Sequence, residues 1–285
     1  MSLKQYCNEK LFDIIITDNG STDQSLDAIH ARFPELIYIE NNENLGFAEG
    51  NNRALEYSIA HGYAYSLLIN TDTIVDEDFI TKLYKHLTDH VAAAAVQPAI
   101  YWLHDKSKIW NGKGGFNQVA GMVYSGKNTP TTHDLSTFKN ADWLTGCCML
   151  LRNESLSRTG LFNKRFFLYY EDVELSYRLR DFGYELHYLP SAKIYHEAGV
   201  SAKVQKPGNE GALSPIIHYY TSRNRLWFLR KYGNPVFWPV YFVSSAAYYL
   251  LLFTYFKLRG RSKKAGYLYN GVKEGFLESK KTIWP

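Results

Sequence analysis

Cysteine is scarce in this sequence: Cys7, Cys147 and Cys148 are the three thiols among 285 residues. A chain of this length can bury a full core without covalent cross-links, so no disulfide framework is expected. Adjacent residues on a strand point to opposite faces, and Cys147 and Cys148 therefore cannot easily share one metal ion or one partner. We predict core cysteines in a reducing compartment.

Two features that define other classes of protein are missing. The N-terminal residues MSLKQYCNEK contain no apolar segment, so no signal peptide is predicted. No glycine-rich loop with Arg and Lys, as triphosphate binding requires, occurs near the N-terminus. This second absence disfavours a nucleotidyltransferase, a class that also combines βαβ units with metal-binding acids.

Acidic residues almost disappear after residue 215. Residues 216–285 carry twelve Lys and Arg against Glu274 and Glu278, a net charge of +10 in a chain whose total is only +4. The preceding part of the chain is therefore acidic. This asymmetry is typical of a protein of which one end meets an anionic surface, and both nucleic acid and a membrane leaflet are candidates.

A run without any charge lies inside this basic end. Residues 235–256, PVFWPVYFVSSAAYYLLLFTYF, are 22 residues long, which is enough to cross a bilayer. Tyr, Ser and Pro dilute the hydrophobicity, and both flanks are basic, so an interfacial amphipathic helix pair is favoured over a spanning helix. A soluble subunit interface is the other alternative. Because the run is aromatic and uncharged, we expect lipid rather than nucleic acid as the partner of a membrane-associating tail over residues 216–285.

Strand and helix patterns alternate through the first part of the chain, which predicts βαβ units and an α/β domain over residues 1–215 with a mostly parallel sheet. Residues 102–138 are predicted to be a long loop, and residues 203–215 a linker. The predicted strands are residues 11–16, 36–39, 65–69, 92–100, 185–189 and 193–195. The predicted helices are residues 25–33, 50–61 and 78–89. Ligands bind beyond the carboxyl ends of strands in such sheets, and Asp18 and Asp72 follow strands there.

Glu171 and Asp172 begin a further helical pattern, with an apolar face at Leu175, Leu179 and Phe182 and a stop at Gly183. Acids in a first helical turn are favoured by the helix dipole, so a solvated helix start is one interpretation. The other follows from the aromatic residues directly upstream, Phe166, Phe167, Tyr169 and Tyr170. Carboxylates beside aromatic bulk have raised pKa values and suit a general base.

The blocks ITDNGSTD, NLGFAEGNN, LLINTDT, WLTGCCMLLR and FFLYYEDVELSYRLRDFGY occur in this order and are followed by His196. Over residues 11–202 they resemble the family 2 glycosyltransferases, in particular the bacterial rhamnosyltransferase-like branch with the Rossmann-like GT-A fold. The resemblance implies an enzyme that transfers a sugar, with inversion, from a nucleotide-diphosphate donor to an acceptor hydroxyl. Such an enzyme would act in surface polysaccharide or lipid-linked oligosaccharide synthesis, in the cytoplasm and on the inner face of the cell membrane.

The resemblance also assigns site residues. It implies that Asp172 is the general base and that Glu171 orients it or the acceptor. Asp72, with His196, is matched to a divalent cation, Mg²⁺ or Mn²⁺, which neutralises the leaving diphosphate. Trp143 and Gly146 would line the sugar and acceptor side. The residues matched to nucleotide binding are Asp18, Asn19, Asn44, Gly46 and Asn51. Core packing of Trp143 and a structural role for His196 remain alternatives, and Arg223 is expected over the diphosphate or toward lipid.

The sequence departs from the family pattern in two places. Asn70 stands where the first acid of the D-x-D motif often stands, so the resemblance leaves metal dependence open. The chain also begins at or after the position of the family's first helix, so the usual first strand of the sheet is expected to be missing. A missing strand makes a non-catalytic sugar-nucleotide binder or scaffold the alternative function.

Overall fold

The computed structural model describes residues 2–3, 12–127, 137–197 and 210–284. Cys7, the beginning of the first predicted strand and most of the predicted linker lie outside these residues. The expectation that a first strand is missing also concerns residues outside them.

The strands within the described residues are β1 (Ile15–Asp18), β2 (Ile37–Glu40), β3 (Tyr65–Ile69), β4 (Thr73–Val75), β5 (Ala93–Trp102), β6 (Ile109–Asn111), β7 (Gly114–Asn117), β8 (Met122–Ser125), β9 (Lys139–Asn140), β10 (Cys148–Arg152) and β11 (Glu185–His196). The α-helices are α1 (Ser25–Arg32), α2 (Gly46–Ala60), α3 (Phe79–Asp89), α4 (Asn153–Thr159), α5 (Glu171–Asp181), α6 (Pro215–Tyr232), α7 (Trp238–Leu258), α8 (Ser262–Leu277) and α9 (Lys280–Ile283).

The main sheet has seven strands in the order β3-β10-β5-β11-β4, with β6 paired to β5 and β9 to β11. Strand β11 runs parallel to β5, whereas β10 is antiparallel to both of its neighbours and β4 is antiparallel to β11. Strands β1 and β2 form a separate parallel pair. The predicted α/β class is confirmed, but the expectation of a mostly parallel sheet is wrong. Local periodicity indicates a strand, whereas its direction depends on partners far away in sequence.

Several predicted boundaries change for identifiable reasons. The two short strands predicted around Pro190 are one strand, β11, with a register shift between Leu189 and Lys193. Such an irregularity accommodates a proline, which has no N–H for the ladder. The predicted loop over residues 102–138 contains β6 and the β7-β8 pair, β4 was not predicted, and α2 begins at Gly46 rather than at residue 50.

Apolar residues cover both faces of the main sheet, as β10 shows by its alternation. Met149 and Leu151 face a core with Leu55 of α2, Leu156 of α4 and Leu175 of α5. Cys148 and Leu150 belong to the opposite core, with Phe79, Leu83 and Leu87 of α3. Cys147 and Cys148 are buried, as predicted, but both belong to this second core. The expectation that they face opposite sides of the sheet is wrong, because Cys147 precedes β10. Truncating a fully buried leucine such as Leu151 to alanine should cost about 2–5 kcal/mol.

The chain forms two compact units. The first consists of Met1–Gly114, Ser125–Phe167 and Glu171–Glu197. The second consists of Gly115–Tyr124, Leu168–Tyr170 and Ala198–Pro285, so two short segments of the predicted body join the tail. The domain boundary between residues 215 and 216 stays a prediction.

Helix α7 is apolar in an unusual arrangement within the second unit. Its buried side chains are Tyr241, Ser245, Tyr249 and Phe256, whereas aliphatic residues such as Leu250 and Leu251 are exposed. The segment Pro235–Leu258 is long and apolar enough to cross a membrane, with a mean hydropathy of 1.6. The prediction of an amphipathic helix is therefore wrong for α7, because apolar side chains lie on both its buried and its exposed sides.

Arg223 of α6 is buried within the same unit. Its guanidinium pairs with Glu274 of α8 at 3.2 Å and lies over the Trp227 ring at 4.1 Å. The expectation of a lipid-facing cation is therefore wrong, because Arg223 is buried, whereas its place over the diphosphate stays a prediction. Arg223 instead joins two helices of the tail.

Candidate active site

Asp172 lies in the first turn of α5 and is held by main-chain N–H groups. Its Oδ2 accepts a hydrogen bond from Gly146 N at 3.0 Å, and its Oδ1 accepts one from Val173 N at 2.8 Å. A Cβ atom at Gly146 would lie 2.7 Å from the Phe47 ring, so this position requires glycine. Burial raises the pKa of Asp172 above the ordinary value of 3.8, and the main-chain donors oppose that rise. Asp172 is therefore a carboxylate with a raised pKa and a fixed orientation.

Glu171 is a second acid with a different environment. Only 5 % of the residue is exposed, and its Oε2 has no hydrogen-bond partner among the described residues. Burial, followed by the nearby charge of Asp172, raises the pKa of Glu171 well above 4.5. An unpaired buried carboxyl group is stable in its neutral form, so we expect Glu171 to remain protonated where Asp172 is ionised.

The third acid of α5, Glu174, is fully buried and has a structural partner. Its carboxylate binds Arg178, one turn later, at 2.9 Å. The same guanidinium donates to the main-chain carbonyls of Thr159, Gly160 and Leu161. Glu174 therefore anchors the end of α4 rather than serving the site.

The backbone just before α5 is strained. Phe167, Tyr169 and Tyr170 adopt positive φ angles of 60°, 66° and 68°, a region that bulky residues rarely occupy. In the second unit, the side-chain amide of Asn224 donates to the carbonyls of Leu168 and Tyr169 at 2.9 and 2.7 Å. Strain of this kind persists only where surrounding contacts over-determine the conformation, and it concentrates at functional sites.

Asp72 lies in the turn between β3 and β4, where the sequence pattern placed it. Its Oδ1 is 2.9 Å from Nε2 of His196, the last residue of β11. This contact lowers the pKa of Asp72, although burial opposes the shift. His196 is itself buried, and its Nδ1 has no hydrogen-bond partner in the described part of the chain.

The Gly146-Cys147 main chain connects the two acids. Gly146 N binds Asp172, and Cys147 O accepts from the N–H of Asn70 at 2.9 Å. Asn70 in turn accepts from Thr73 across the turn that carries Asp72. Burial raises the pKa of the Cys147 thiol, and the charges of Asp72 and Asp172 both add to that rise. The structure therefore brings the two predicted acids, His196 and Gly146 to one edge of the main sheet.

The residues predicted to bind the nucleotide follow β1 and precede α2. Asp18 Oδ2 accepts from the N–H groups of Gly20 and Ser21. A hydrogen bond from the Ser21 side chain lowers the pKa of Asp18 most, burial opposes the shift, and the two main-chain contacts lower the pKa further. Asn19 donates to the Asn44 side chain at 3.3 Å and to the Gly46 carbonyl at 3.0 Å. These contacts hold the turn after β1 against the start of α2.

Gly46 is required by its backbone. Its φ is +76°, and a Cβ atom there would lie 2.6 Å from the Phe167 ring. Asn51 donates to the Phe47 carbonyl of its own helix at 2.8 Å. Trp143 is nearly buried, and a side chain at Gly114 would collide with it, which supports the alternative of core packing for Trp143.

Sequence reasoning missed Gln97, which supports the site from within β5. This fully buried side chain accepts from Thr145 N at 2.7 Å and donates to Asn111 Oδ1 at 3.1 Å. The signal was available, because a lone glutamine in the apolar run AAAAVQPAI must find buried partners. Asn224 offered no comparable signal, since polar residues surround it in the sequence.

The donor atoms at Asp72 and His196 fit a divalent cation. A carboxylate oxygen and an imidazole nitrogen stand side by side, and the second histidine nitrogen is a buried polar atom without a described partner. Mg²⁺ prefers an all-oxygen set, whereas first-row divalent metals accept both oxygen and nitrogen.

The mixed sheet, with helices on both faces and acids where its strands end, has the architecture of the GT-A fold. Two solved structures share this fold. One is mannosyltransferase PcManGT from Pyrobaculum calidifontis in complex with GDP-Man and Mn²⁺. The match covers 98 % of this chain and 82 % of that enzyme, at a TM-score of 0.55 and 15 % identity. The chain also matches GalNAc-T7 with UDP, GalNAc and Mn²⁺, at a TM-score of 0.59 and 13 % identity, over 80 % of this chain but only 44 % of that enzyme.

The sequence model of glycosyl transferase family 2 matches residues 2–160, and the chain belongs to this family. The match includes Asp18 and Asp72 and ends before α5. The chain is 26 % identical to the N-acetylglucosaminyl-diphospho-decaprenol L-rhamnosyltransferase of Mycobacterium tuberculosis, over 74 % of this chain and 73 % of that protein. It is 23 % identical to the dTDP-rhamnosyl transferase RfbF of Shigella flexneri, over 78 % and 72 %.

These relatives confirm the predicted family, its rhamnosyltransferase-like branch and the predicted enzyme class, a nucleotide-sugar glycosyltransferase of polysaccharide or lipid-linked glycan synthesis. None of the relatives named here is a non-catalytic binder. The roles of individual residues, the cation and the membrane remain proposals.

Proposed function

We propose that the chain transfers a deoxyhexose, with L-rhamnose from dTDP-L-rhamnose as the first candidate, to a hydroxyl of a lipid-linked saccharide. The donor and the acceptor are those in the names of the relatives from Shigella flexneri and Mycobacterium tuberculosis. The observation that carries the proposal is the Gly146-Cys147 main chain, which connects the Asp172 carboxylate to the turn of Asp72. One acid thus serves the acceptor and the other serves the diphosphate.

The transfer is a displacement in which Asp172 acts as the general base. Its carboxylate takes the proton of the acceptor hydroxyl while the acceptor oxygen bonds to the anomeric carbon. The bond from that carbon to the diphosphate oxygen breaks on the opposite face, which inverts the configuration. The hydrogen bonds from Gly146 and Val173 orient the carboxylate, and burial keeps its pKa high enough to accept a proton.

Glu171 has a supporting part in this proposal. As a buried neutral acid next to Asp172, it adds no second negative charge beside the base. It would also keep the pKa of Asp172 from rising further, because two ionised carboxylates in contact disfavour each other. Orientation of the acceptor remains its proposed role.

Asp72 and His196 would hold the divalent cation, whose chemistry is to neutralise charge on the leaving diphosphate. The nitrogen donor favours Mn²⁺ over Mg²⁺ for this chain, since Mg²⁺ prefers oxygen ligands. Asp18 and the Asn19-Asn44-Gly46 turn would bind the nucleoside. Their mutual hydrogen bonds set the turn before the ligand arrives, so little ordering remains to be done on binding.

Helix α7 supports a site of action on the cytoplasmic face of a membrane. Its exposed aliphatic residues would enter the acyl region, and the basic residues at its ends would contact anionic headgroups. An acceptor with a lipid carrier resides in the same layer. We propose peripheral association rather than spanning. The buried side of α7, which carries Tyr241 and Tyr249, would face the protein.

A transfer assay tests the proposed function directly. Purified full-length chain is incubated with radiolabelled dTDP-L-rhamnose, a lipid-linked N-acetylglucosamine acceptor and Mn²⁺, and label in the lipid phase is counted. UDP- and GDP-sugars serve as alternative donors, and a thermal-shift screen with and without Mn²⁺ reports donor binding independently. Label in lipid supports the proposal. Binding of a donor without transfer to any acceptor would instead indicate a sugar-nucleotide binder.

A further inference from the structure

Three histidines form a cluster in the first unit, remote from the proposed active site. His86 and His90 lie at the end of α3 and just after it, and His187 lies near the start of β11. His196, at the other end of β11, is about 30 Å from His187 along an extended strand. The cluster therefore takes no part in sugar transfer.

The geometry of the cluster is that of converging ligands. One ring nitrogen from each of the three histidines lies within 4.8 Å of the other two. Nε2 of His86 is 2.8 Å from Nδ1 of His187. His86 and His90 are spaced i, i+4, so both rings project from one face of the helix end.

The nitrogens that point away from the cluster have partners that fix the rings. His187 Nε2 contacts the Glu185 carboxylate at 2.9 Å, and His90 Nδ1 contacts the His86 carbonyl at 2.8 Å. Metal-binding histidines characteristically bind a carboxylate or a main-chain carbonyl through the nitrogen that does not ligate the metal. Two of the three histidines here have such a contact, which leaves His187 Nδ1 and His90 Nε2 for the cluster.

Two of the three rings, His86 and His187, are buried, and burial favours the neutral form that binds a metal. Burial lowers the pKa of His86 to about 4 and also lowers that of His187. The Phe138 ring stacks on His187 at 4.4 Å and lies edge-on to His86 and His90. His90 is only half-buried, which gives an ion a path to the cluster.

We propose that His86, His90 and His187 bind a zinc-type divalent cation that joins α3 to β11. Tetrahedral Zn²⁺ with Zn–N bonds of about 2.0–2.1 Å separates its ligand nitrogens by about 3.4 Å. The closest pair in the cluster, at 2.8 Å, is shorter than this, and all three nitrogens lie within 4.8 Å of one another, so ring rotations would produce that geometry. Water would complete the coordination. Because the ion binds the folded state, it raises the free energy of unfolding by an amount that grows with the logarithm of its concentration over its dissociation constant.

The test uses full-length protein without a histidine tag, stripped with a chelator and titrated with Zn²⁺ by calorimetry and with Co²⁺ by visible absorption. We expect one Zn²⁺ per chain at this site, a tetrahedral Co²⁺ spectrum and an increase in Tm with Zn²⁺. His90→Gln removes a half-buried ligand and should weaken Zn²⁺ binding at least tenfold, and Glu185→Gln should weaken it by about 10–100-fold. His196→Gln should leave binding at this cluster unchanged, which separates it from the proposed catalytic cation.

His61→Gln is the matched control. Its Nδ1 contacts the Tyr57 carbonyl at 2.8 Å, the same helix-end contact that His90 makes with His86, but His61 lies outside the cluster. This variant should retain full Zn²⁺ binding and the increase in Tm. Equal Zn²⁺ affinity in His90→Gln and the wild type, or a Co²⁺ complex without a tetrahedral spectrum, would overturn the proposal.

Discussion

Asn224 donates its side-chain amide to the Tyr169 carbonyl at 2.7 Å and is completely buried. Its own Oδ1 accepts from Arg223 at 2.9 Å, so the amide cannot rotate freely. Tyr169 has a positive φ, and Glu171 and Asp172 follow two and three residues later. The tail helix α6 therefore holds the strained backbone that leads into the acids.

The variant Asn224→Leu, which has a similar shape, tests this positioning role. It removes the amide donor from two part-buried carbonyls, which should cost about 1–3 kcal/mol of stability. Displacement of the acids by about 1 Å should lower kcat roughly 100-fold, whereas KM for the donor should change little. Steady-state kinetics of Asn224→Leu and of the exposed control Asn270→Leu measure this. A fall in stability alone, with kcat retained, would make Asn224 merely structural.

Removal of the proposed base should separate chemistry from binding. Asp172→Asn retains the size of the side chain but cannot accept the acceptor proton, so kcat should fall about 10²–10⁴-fold. Nucleotide affinity, measured by calorimetry, should stay within a few fold. Asp181→Asn, at the exposed end of the same helix, is the control and should retain activity. Activity of Asp172→Asn equal to that of the control would refute the assignment of the base.

Ionisation of Glu171, the buried acid next to Asp172, should destabilise the protein as the pH rises. The folded-state pKa of Glu171 lies well above 4.5, so its neutral form contributes stability below pH 4.5 that is lost as the pH rises toward the folded-state pKa. Glu171→Gln cannot ionise and escapes this loss. The free energy of unfolding of Glu171→Gln, relative to that of the wild type, should increase by about 1.4 kcal/mol per pH unit across this window.

Chemical denaturation from pH 4 to 8 measures this gain in Glu171→Gln. The buried amide adds a constant cost because its N–H groups need partners, so the slope with pH is the relevant quantity. Glu154→Gln, which changes an exposed carboxylate on α4, should show no such slope. A difference between Glu171→Gln and the wild type that does not vary with pH would contradict a raised pKa in the folded state.

Loss of the Asp72 carboxylate should affect the diphosphate end of the donor. Asp72→Asn removes one negative charge and leaves His196 with a weaker partner, so Mn²⁺-dependent binding of the nucleoside diphosphate should weaken at least about tenfold. Calorimetric titrations with and without Mn²⁺ measure it. Asp78→Asn is a suitable control, because its positive φ is one that asparagine tolerates. Identical titrations of Asp72→Asn and the wild type would remove Asp72 from the cation site.

Charges placed on the exposed side of α7 should release the protein from membranes. Burial of a leucine side chain contributes about 1.5–3 kcal/mol, so Leu250→Glu and Leu251→Glu should each lower vesicle binding at least tenfold. Co-sedimentation with vesicles that contain anionic lipid measures this binding. Val91→Glu makes the same kind of change on an exposed residue of the first unit and should bind like the wild type. Truncation after Pro215 is a poorer test, because it also removes Asn224.

Local patterns predicted the helices and strands of the first part of the chain well, with β3 correct to the residue. Leu175 and Leu179 are buried as the helical spacing predicted, but Phe182 lies past the end of α5 and is 59 % exposed. Gly183, with a φ of +90°, follows the helix as expected. Short-range periodicity cannot locate a helix end to the residue, since capping and tertiary contacts decide it.

The sequence alone determined the class of the protein and the unusual composition of the tail, and it predicted the two acids of the proposed site, because each of these depends on residues close together in the chain. Only the tertiary structure decided the strand directions, the burial of the α7 tyrosines and the hydrogen-bond partners of Gln97 and Asn224. Those features depend on contacts such as that of Asn224 with Tyr169, 55 residues apart in sequence. A buried amide finds its partner through packing, and no local pattern records which carbonyl that will be.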